Sequence, residues 1–119
     1  MEKVNVAEKM AGIGEYWDPR IAGELNGQYV KLVRFKGEFD NHFHANEDEM
    51  FYVTKGSFRL ESPEGDIDIG EGEFVIVPRG VEHKPVADEE CHVILFEPAT
   101  TLNTGNVRTE KTREKLDRI

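Results

Sequence analysis

Short runs in which apolar and polar residues alternate recur through the middle of the chain. In residues 29–36, Val33 and Phe35 fall on one face and Leu32 and Arg34 on the other. Similar runs follow, each bounded by Gly or Pro turns, at residues 50–54, 57–61, 66–69 and 91–97. A period of two predicts half-buried β-strands. Together with an apolar run at 74–77, they predict an all-β fold, an antiparallel sandwich or barrel.

The run at 74–77 differs from the others because all four of its residues are apolar. A continuous apolar run of this length is typical of a strand that is covered on both faces. We therefore expect this segment to be buried.

The two ends of the chain show different patterns. Asn5 and Glu8 have the spacing of a capping box, and Val6, Met10 and Ile13 follow on one helical face, which predicts a short N-terminal helix. The last residues, 108–119, mix charges with Leu116 and Ile119 and predict a short C-terminal helix. The chain then divides into a helix and connector (1–28), a barrel core (29–98) and a tail (99–119). In the connector we expect Trp17 to cover the core.

Length and charge limit the classes of function. A chain of 119 residues forms one domain, here residues 1–119. The net charge of -9 argues against nucleic-acid and anionic membrane partners. The first 20 residues contain seven charges and no apolar signal segment, so we expect a cytoplasmic protein. The single cysteine, Cys91, excludes an intramolecular disulfide and suits a small core position.

Three of the four histidines and one acid form a candidate metal site. His42 and His44 occupy alternate positions, so on a strand both imidazoles project from one face. Glu49 follows a polar, turn-like segment that lets the chain bend back toward them. His83 follows a Pro-Arg-Gly turn that redirects the chain after the apolar run. The pattern predicts that three imidazoles and a carboxylate converge on one cation.

Two segments resemble the motifs of the cupin superfamily. GEFDNHFHANEDEMFYVTKG (37–56) is similar to the first motif, and GEFVIVPRGVEHKPVA (72–87) is similar to the second. In the first motif, the gap between Gly37 and His42 is one residue shorter than is usual in the family. The second motif ends in Ala87, where the family usually has Asn. The resemblance implies a jelly-roll-like barrel in which four residues bind a divalent metal: His42, His44, Glu49 and His83. The chain looks most like the small cupins named after mannose-6-phosphate isomerases.

This ligand set suits Mn, Fe, Ni or Zn, and it leaves open coordination positions for water, substrate or dioxygen. The resulting hypothesis is a metal-dependent enzyme, isomerase-like or dioxygenase-like, that acts on a small polar metabolite, with Glu49 as a candidate base. The alternative is a module that binds a small ligand without turnover. We expect metal affinity to fall below about pH 6, as the histidines become protonated.

Four further residues are candidates for the substrate pocket. Phe51 shares the face of Glu49, Arg79 lies beside the predicted barrel mouth, and Arg34 lies within a predicted strand. His92 lies in the 91–97 strand, where either face could line the pocket. Because a small open sheet leaves edge strands that need cover, we expect a homodimer.

Overall fold

A computed structural model describes all 119 residues and confirms a mostly β fold with antiparallel pairing. The chain forms one short helix and seven strands: α1 (Val6–Ala11), β1 (Arg20–Leu25), β2 (Gln28–Glu38), β3 (Glu49–Lys55), β4 (Ser57–Glu61), β5 (Ile67–Gly70), β6 (Phe74–Val77) and β7 (Lys84–Pro98). No helix is long and apolar enough to cross a membrane.

The long strand β7 organises the sheet. The main path runs β1-β2-β7-β3-β6, and β4 pairs with both β7 and β5. Near its start, Val86 pairs with Glu38 of β2 and Arg59 of β4, whereas Val93 pairs with Val33 of β2 and Val53 of β3. Because β7 changes partners along its length, the sheet folds over and encloses a core, as in a jelly roll.

The inner face of the sheet is apolar and rich in aromatic rings. Trp17 covers one end of this core as predicted, with its ring stacked 4.3 Å from that of Phe35. Cys91, Val93 and Leu95 of β7 are buried on the inner face. Burial raises the pKa of Cys91 to about 12, as befits a core residue. The orientation of β7, open from the sequence, therefore places His92 on the outer face.

Helix α1 covers part of the outer face. The Asn5 side chain accepts a hydrogen bond from the Glu8 backbone N–H at 3.0 Å, so the predicted cap is present. Met10 and Ile13 pack with Leu32 of β2 in a small second cluster. The predicted N-terminal helix is confirmed.

Two predictions about the chain ends are wrong. The predicted connector contains β1, whose pattern was hidden because Gly23 lies next to a β-bulge that breaks the alternation. The tail forms turns instead of a helix, because threonine side chains compete for local hydrogen bonds. The hydroxyl of Thr104, for example, donates to the Val107 carbonyl at 2.7 Å and contacts the Thr112 hydroxyl. The tail ends at Ile119, which donates to the carbonyl of Ile21 in β1.

The prediction that residues 74–77 are covered on both faces is also wrong. β6 lies at the end of the sheet path, and Phe74 and Ile76 are 59% and 56% exposed. Val77 is the one residue of this run that is buried. An apolar run therefore marks an exposed edge of this molecule.

Candidate metal centre

The two sequence motifs meet through a short backbone bridge. The His42 N–H donates to the His83 carbonyl at 3.0 Å, and the His83 N–H donates to the His42 carbonyl at 2.8 Å. Gly80, in the turn before His83, donates its N–H to the His44 carbonyl at 2.7 Å. Glu49 begins β3, beyond the polar bend predicted from the sequence. The turns thus bring residues from distant parts of the chain to one end of the barrel.

The four predicted ligands converge as expected. Their ligand atoms all lie within 4.8 Å of one another, and all four residues are buried. The Nε2 atoms of His42 and His44 are 3.2 Å apart. Oε1 of Glu49 lies 3.4 Å from Nε2 of His44 and 3.4 Å from Nε2 of His83.

Backbone carbonyls orient two of the imidazoles. Nδ1 of His42 lies 2.8 Å from the Asp40 carbonyl, and Nδ1 of His83 lies 2.9 Å from the Val81 carbonyl. Since a carbonyl only accepts, Nδ1 carries the proton and the Nε2 lone pair faces the centre. Nε2 of His83 and Oε1 of Glu49 are buried without a hydrogen-bond partner. Lone pairs that converge without donors fit a divalent transition metal.

The pKa values favour the ligand forms of these groups. Burial, followed by the charge of His83, lowers the pKa of His42 to about 4, so this imidazole is neutral at pH 7. Burial alone would raise the pKa of Glu49, but the neighbouring Glu97, His44 and His83 side chains hold this pKa well below its usual range. A carboxylate of lowered pKa is a good ligand and a weak base. The role of Glu49 as a catalytic base stays a prediction.

A buried ion pair lies behind Glu49. Nζ of Lys31 donates to Oε1 of Glu97 at 2.9 Å, and both side chains are only 1% exposed. Burial and then the charge of Glu49 raise the pKa of Glu97 well above its usual range, although Lys31 opposes this. The Glu49 and Glu97 carboxyl groups are therefore close neighbours inside the barrel. The sequence prediction missed both members of the pair.

A small cavity of about 30 Å³ opens beside two of the candidate metal ligands, His42 and Glu49. Its aromatic walls are Trp17, Phe35, Phe39 and Phe51, and its other lining residues are Pro19, Val33, Pro85, Leu95 and Asn103. The predicted pocket residue Phe51 therefore lies in the cavity wall. No lysine or arginine lines this space.

The other three predicted pocket residues lie elsewhere, which corrects the sequence prediction. Arg34 points outward and donates to Glu90 at 2.7 Å, and His92 contacts the same carboxylate at 2.6 Å. Both lie on the outer face, because the strand positions that alternate with them face inward. Arg79 is exposed on the loop before β7, 3.3 Å from Asp48, and does not line the cavity.

The tail supports the ligand loop in a way that the sequence did not reveal. The Asn106 N–H donates to the Phe43 carbonyl at 3.0 Å, and the Asn106 side chain accepts from the Phe43 N–H at 2.9 Å. Gly105, with φ +57°, packs so closely that an added Cβ would lie 2.9 Å from Cδ2 of His42. The glycine-asparagine pair between predicted elements was the only available signal.

Comparison with known proteins places the chain in a family. The family model described as "Cupin domain" matches residues 31–97, more than half of the chain. The chain belongs to the cupin family. A cupin-2 domain containing protein from Shewanella frigidimarina has a crystal structure that matches with a TM-score of 0.78, at 39% identity over 80% of this chain and 93% of that one.

Two curated proteins are also similar to this cupin. Protein SchB of Streptomyces halstedii is 29% identical over 101 residues, which cover 81% of this chain and 73% of SchB. Homogentisate 1,2-dioxygenase of Bradyrhizobium diazoefficiens is 38% identical over 69 residues, which cover 53% of this chain and only 15% of that enzyme. The resemblance to mannose-6-phosphate isomerase-like cupins is not confirmed.

Proposed function

We propose that this cupin is a metal-dependent enzyme that acts on a compact small molecule. The observation that carries the proposal is the convergence of four buried ligand atoms, from His42, His44, Glu49 and His83, beside an apolar cavity. Four protein ligands leave room for an exogenous ligand on a five- or six-coordinate ion. Mn, Fe, Ni and Zn all suit this ligand set.

A bound metal would supply Lewis-acid or redox activation of the substrate or dioxygen. The protein residues perform the remaining tasks. His42 and His83 present fixed Nε2 lone pairs, because their Nδ1 protons are held by carbonyls. The aromatic walls exclude water and orient an apolar substrate body against the ligand cluster.

The cavity favours dioxygenation over sugar-phosphate isomerisation. A phosphate needs cationic or N–H donors, and the cavity is lined by no lysine or arginine. Isomerisation also needs a proton-transferring pair, whereas the only titratable lining groups are the metal ligands His42 and Glu49. Ring-opening dioxygenation requires no phosphate site, and both atoms of O₂ enter the product as one C–C bond breaks. The similarity to a segment of homogentisate 1,2-dioxygenase supports the same choice. We therefore propose a substrate with an apolar or aromatic body and one polar group, instead of a wholly polar metabolite.

The test begins with metal content. The protein is purified without a metal-affinity tag, reloaded with Fe²⁺, Mn²⁺, Ni²⁺ or Zn²⁺ and analysed for elements, with His44→Ala as the control. We expect about one divalent ion per chain in the wild type and a loss of at least tenfold in affinity for His44→Ala. A wild-type protein that retains no stoichiometric metal after reloading would overturn the metal site.

Activity is then measured as O₂ consumption by the Fe²⁺-loaded protein with a panel of small phenols, diols and sugar phosphates. Uptake that depends on a phenolic substrate supports dioxygenation, and turnover of a sugar phosphate without O₂ uptake contradicts it.

The second candidate function is ligand capture without turnover. The observation that favours it is that Asn103 is the only polar lining residue besides the two metal ligands. A metal-dependent rise in melting temperature with a panel compound, and no consumption of that compound, would identify this function.

We also propose that the chain forms a homodimer through β6. This edge strand exposes Phe74 and Ile76, and its register places Tyr52 and Met50 of β3 beside them. A two-fold axis at this edge would cover the apolar face with its own copy. Sedimentation analysis should give a dimer mass for the wild type and a monomer mass for Ile76→Glu. A wild-type monomer at micromolar concentration contradicts the proposal.

A further inference from the structure

Three charged side chains form a line across adjacent strands on the inner face of the barrel. Tyr29 of β2 pairs with Glu97 of β7, so Lys31 is the diagonal neighbour of Glu97 on the same face. Met50 of β3 pairs with Phe96, so the next position of this register sets Glu49 opposite Glu97. The order across the sheet is therefore Lys31, Glu97 and Glu49, and the last of these is a proposed metal ligand.

Stability alone does not account for the ion pair in this line. Removing two charges from water costs more than a buried ion pair usually returns, and apolar residues of similar size often stabilise a fold equally well. Val33 and Leu95, which lie two residues from Lys31 and Glu97 on the same strands, belong to the apolar core. Apolar side chains are therefore accommodated on this face. Yet the Lys31–Glu97 pair is as deeply buried as the apolar core around it.

The polar atoms of this line differ in how well they are paired. Nζ of Lys31 contacts Oε1 of Glu97 at 2.9 Å and the Thr101 carbonyl at 3.4 Å. The other oxygen of Glu97, Oε2, is buried without a donor. Glu49 faces the opposite way with Oε1, toward His44 and His83. The strand register thus sets the Glu97 carboxyl group beside the Glu49 side chain.

We infer that Lys31 and Glu97 are positioning residues that hold Glu49 in its ligand orientation and thereby set the affinity and coordination geometry of the metal. This inference rests on the proposed metal site. Lys31 compensates the charge of Glu97, so a second carboxyl group can lie beside Glu49 without the repulsion that two uncompensated carboxylates would exert on each other. Contacts of this kind behind metal ligands commonly change affinity by about 10- to 100-fold.

The test compares variants of the full-length chain with Co²⁺ as the probe. The double variant Lys31→Met with Glu97→Leu removes both charges and leaves neither one buried alone. A second double variant, Lys31→Met with Glu97→Gln, keeps an uncharged side chain of the same shape beside Glu49. Met10→Ala is the control, because it removes buried apolar contacts on the outer face and leaves the site intact. Each protein is measured by calorimetric titration and by visible absorption of bound Co²⁺.

We expect the leucine double variant to bind Co²⁺ at least tenfold more weakly and to show a changed absorption spectrum. The glutamine double variant should restore the wild-type spectrum and most of the affinity. Met10→Ala should lower the melting temperature and leave the spectrum unchanged. If the leucine double variant does not fold, Glu97→Asp takes its place, since the shorter carboxyl group withdraws from Glu49, and the same spectral change is expected.

Wild-type affinity and spectrum in the leucine double variant, or in its Asp replacement, would overturn the inference while leaving the metal site in place. No Co²⁺ binding by the wild type would instead overturn the proposed function. The two failures are therefore distinguishable in one set of titrations.

Discussion

Two of the ion pairs that join β2 and β7 lie on opposite faces of the sheet and differ sharply in environment. On the inner face, Lys31 and Glu97 are each 1% exposed and contact at 2.9 Å. On the outer face, Arg34 and Glu90 are 22% and 34% exposed and contact at 2.7 Å. The distances are nearly the same, so geometry does not separate them. Burial separates the two pairs, because water screens the charges on the outer face, whereas the charges on the inner face interact in a low-dielectric environment without that screening.

The two pairs also differ in the residues that surround them. Glu90 accepts from the Tyr16 hydroxyl at 2.8 Å as well as from Arg34, and it lies 2.6 Å from His92. This outer network attaches the N-terminal segment to the sheet. The inner pair lies next to Glu49 in the strand register, and Glu49 is a proposed metal ligand. The outer network therefore has a structural role, whereas the inner pair has the place that the proposed positioning of Glu49 requires.

The largest expected effect comes from breaking the inner pair. Lys31→Met leaves the Glu97 carboxyl group buried without its counter-charge, and such single removals cost about 3–5 kcal/mol of stability. Urea denaturation of the metal-free protein measures this loss. A loss below about 1 kcal/mol would show that the inner pair behaves like a surface pair.

Acidification should affect the inner face first. The pKa of His42 is lowered to about 4 in the folded protein from an ordinary value of 6.5. As pH falls below 6.5 the unfolded chain takes up this proton and the folded chain does not, so stability is lost between about pH 6.5 and 4 and levels off below. The loss reaches about 3 kcal/mol for this group. The measurement is the pH dependence of urea unfolding for metal-free wild type minus that for His42→Gln, and a flat difference contradicts the prediction.

The tail should also affect the inner face. Gly105→Ala places a Cβ against the Phe43 carbonyl and within 2.9 Å of Cδ2 of His42, at a φ of +57° that favours glycine. We expect a loss of about 2 kcal/mol in stability together with weaker metal binding, because the ligand loop must shift. Gly27→Ala, also at positive φ but with open space around it, is the matched control. Equal effects of the two substitutions would show that only backbone strain matters.

The smallest effect is expected on the outer face. Arg34→Met should cost only about 0.5–1 kcal/mol, and less at high salt, with no change in metal affinity. Hydrogen bonds from Arg34, His92 and Tyr16 lower the pKa of Glu90 to about 2. The contribution of Glu90 to the free energy of unfolding is therefore fully present above about pH 4.5, and it is lost as pH falls toward 2. A change in Co²⁺ affinity for Arg34→Met would break the division between the two faces.

Sequence patterns predicted the ligands because metal chemistry restricts residue type. Few side chains bind a transition metal, so His42, His44, Glu49 and His83 stood out, and all four converge. The pocket residues were harder to predict, since Arg34 and His92 alternate with core residues and only the packing decides which face is inside. Lys31 and Glu97 have charges that indicate a surface position, so nothing in the local pattern suggested their burial.

The sequence by itself determined the β-strand class, the turns and the four donors, because alternation, turn chemistry and ligand type are local properties. Tertiary structure decided which face of β7 is buried, that β6 lies at an exposed edge, and that the tail supports the ligand loop. These outcomes depend on contacts between residues far apart in the chain, such as His42 with His83 and Phe43 with Asn106. No short window of sequence contains both partners of such a contact.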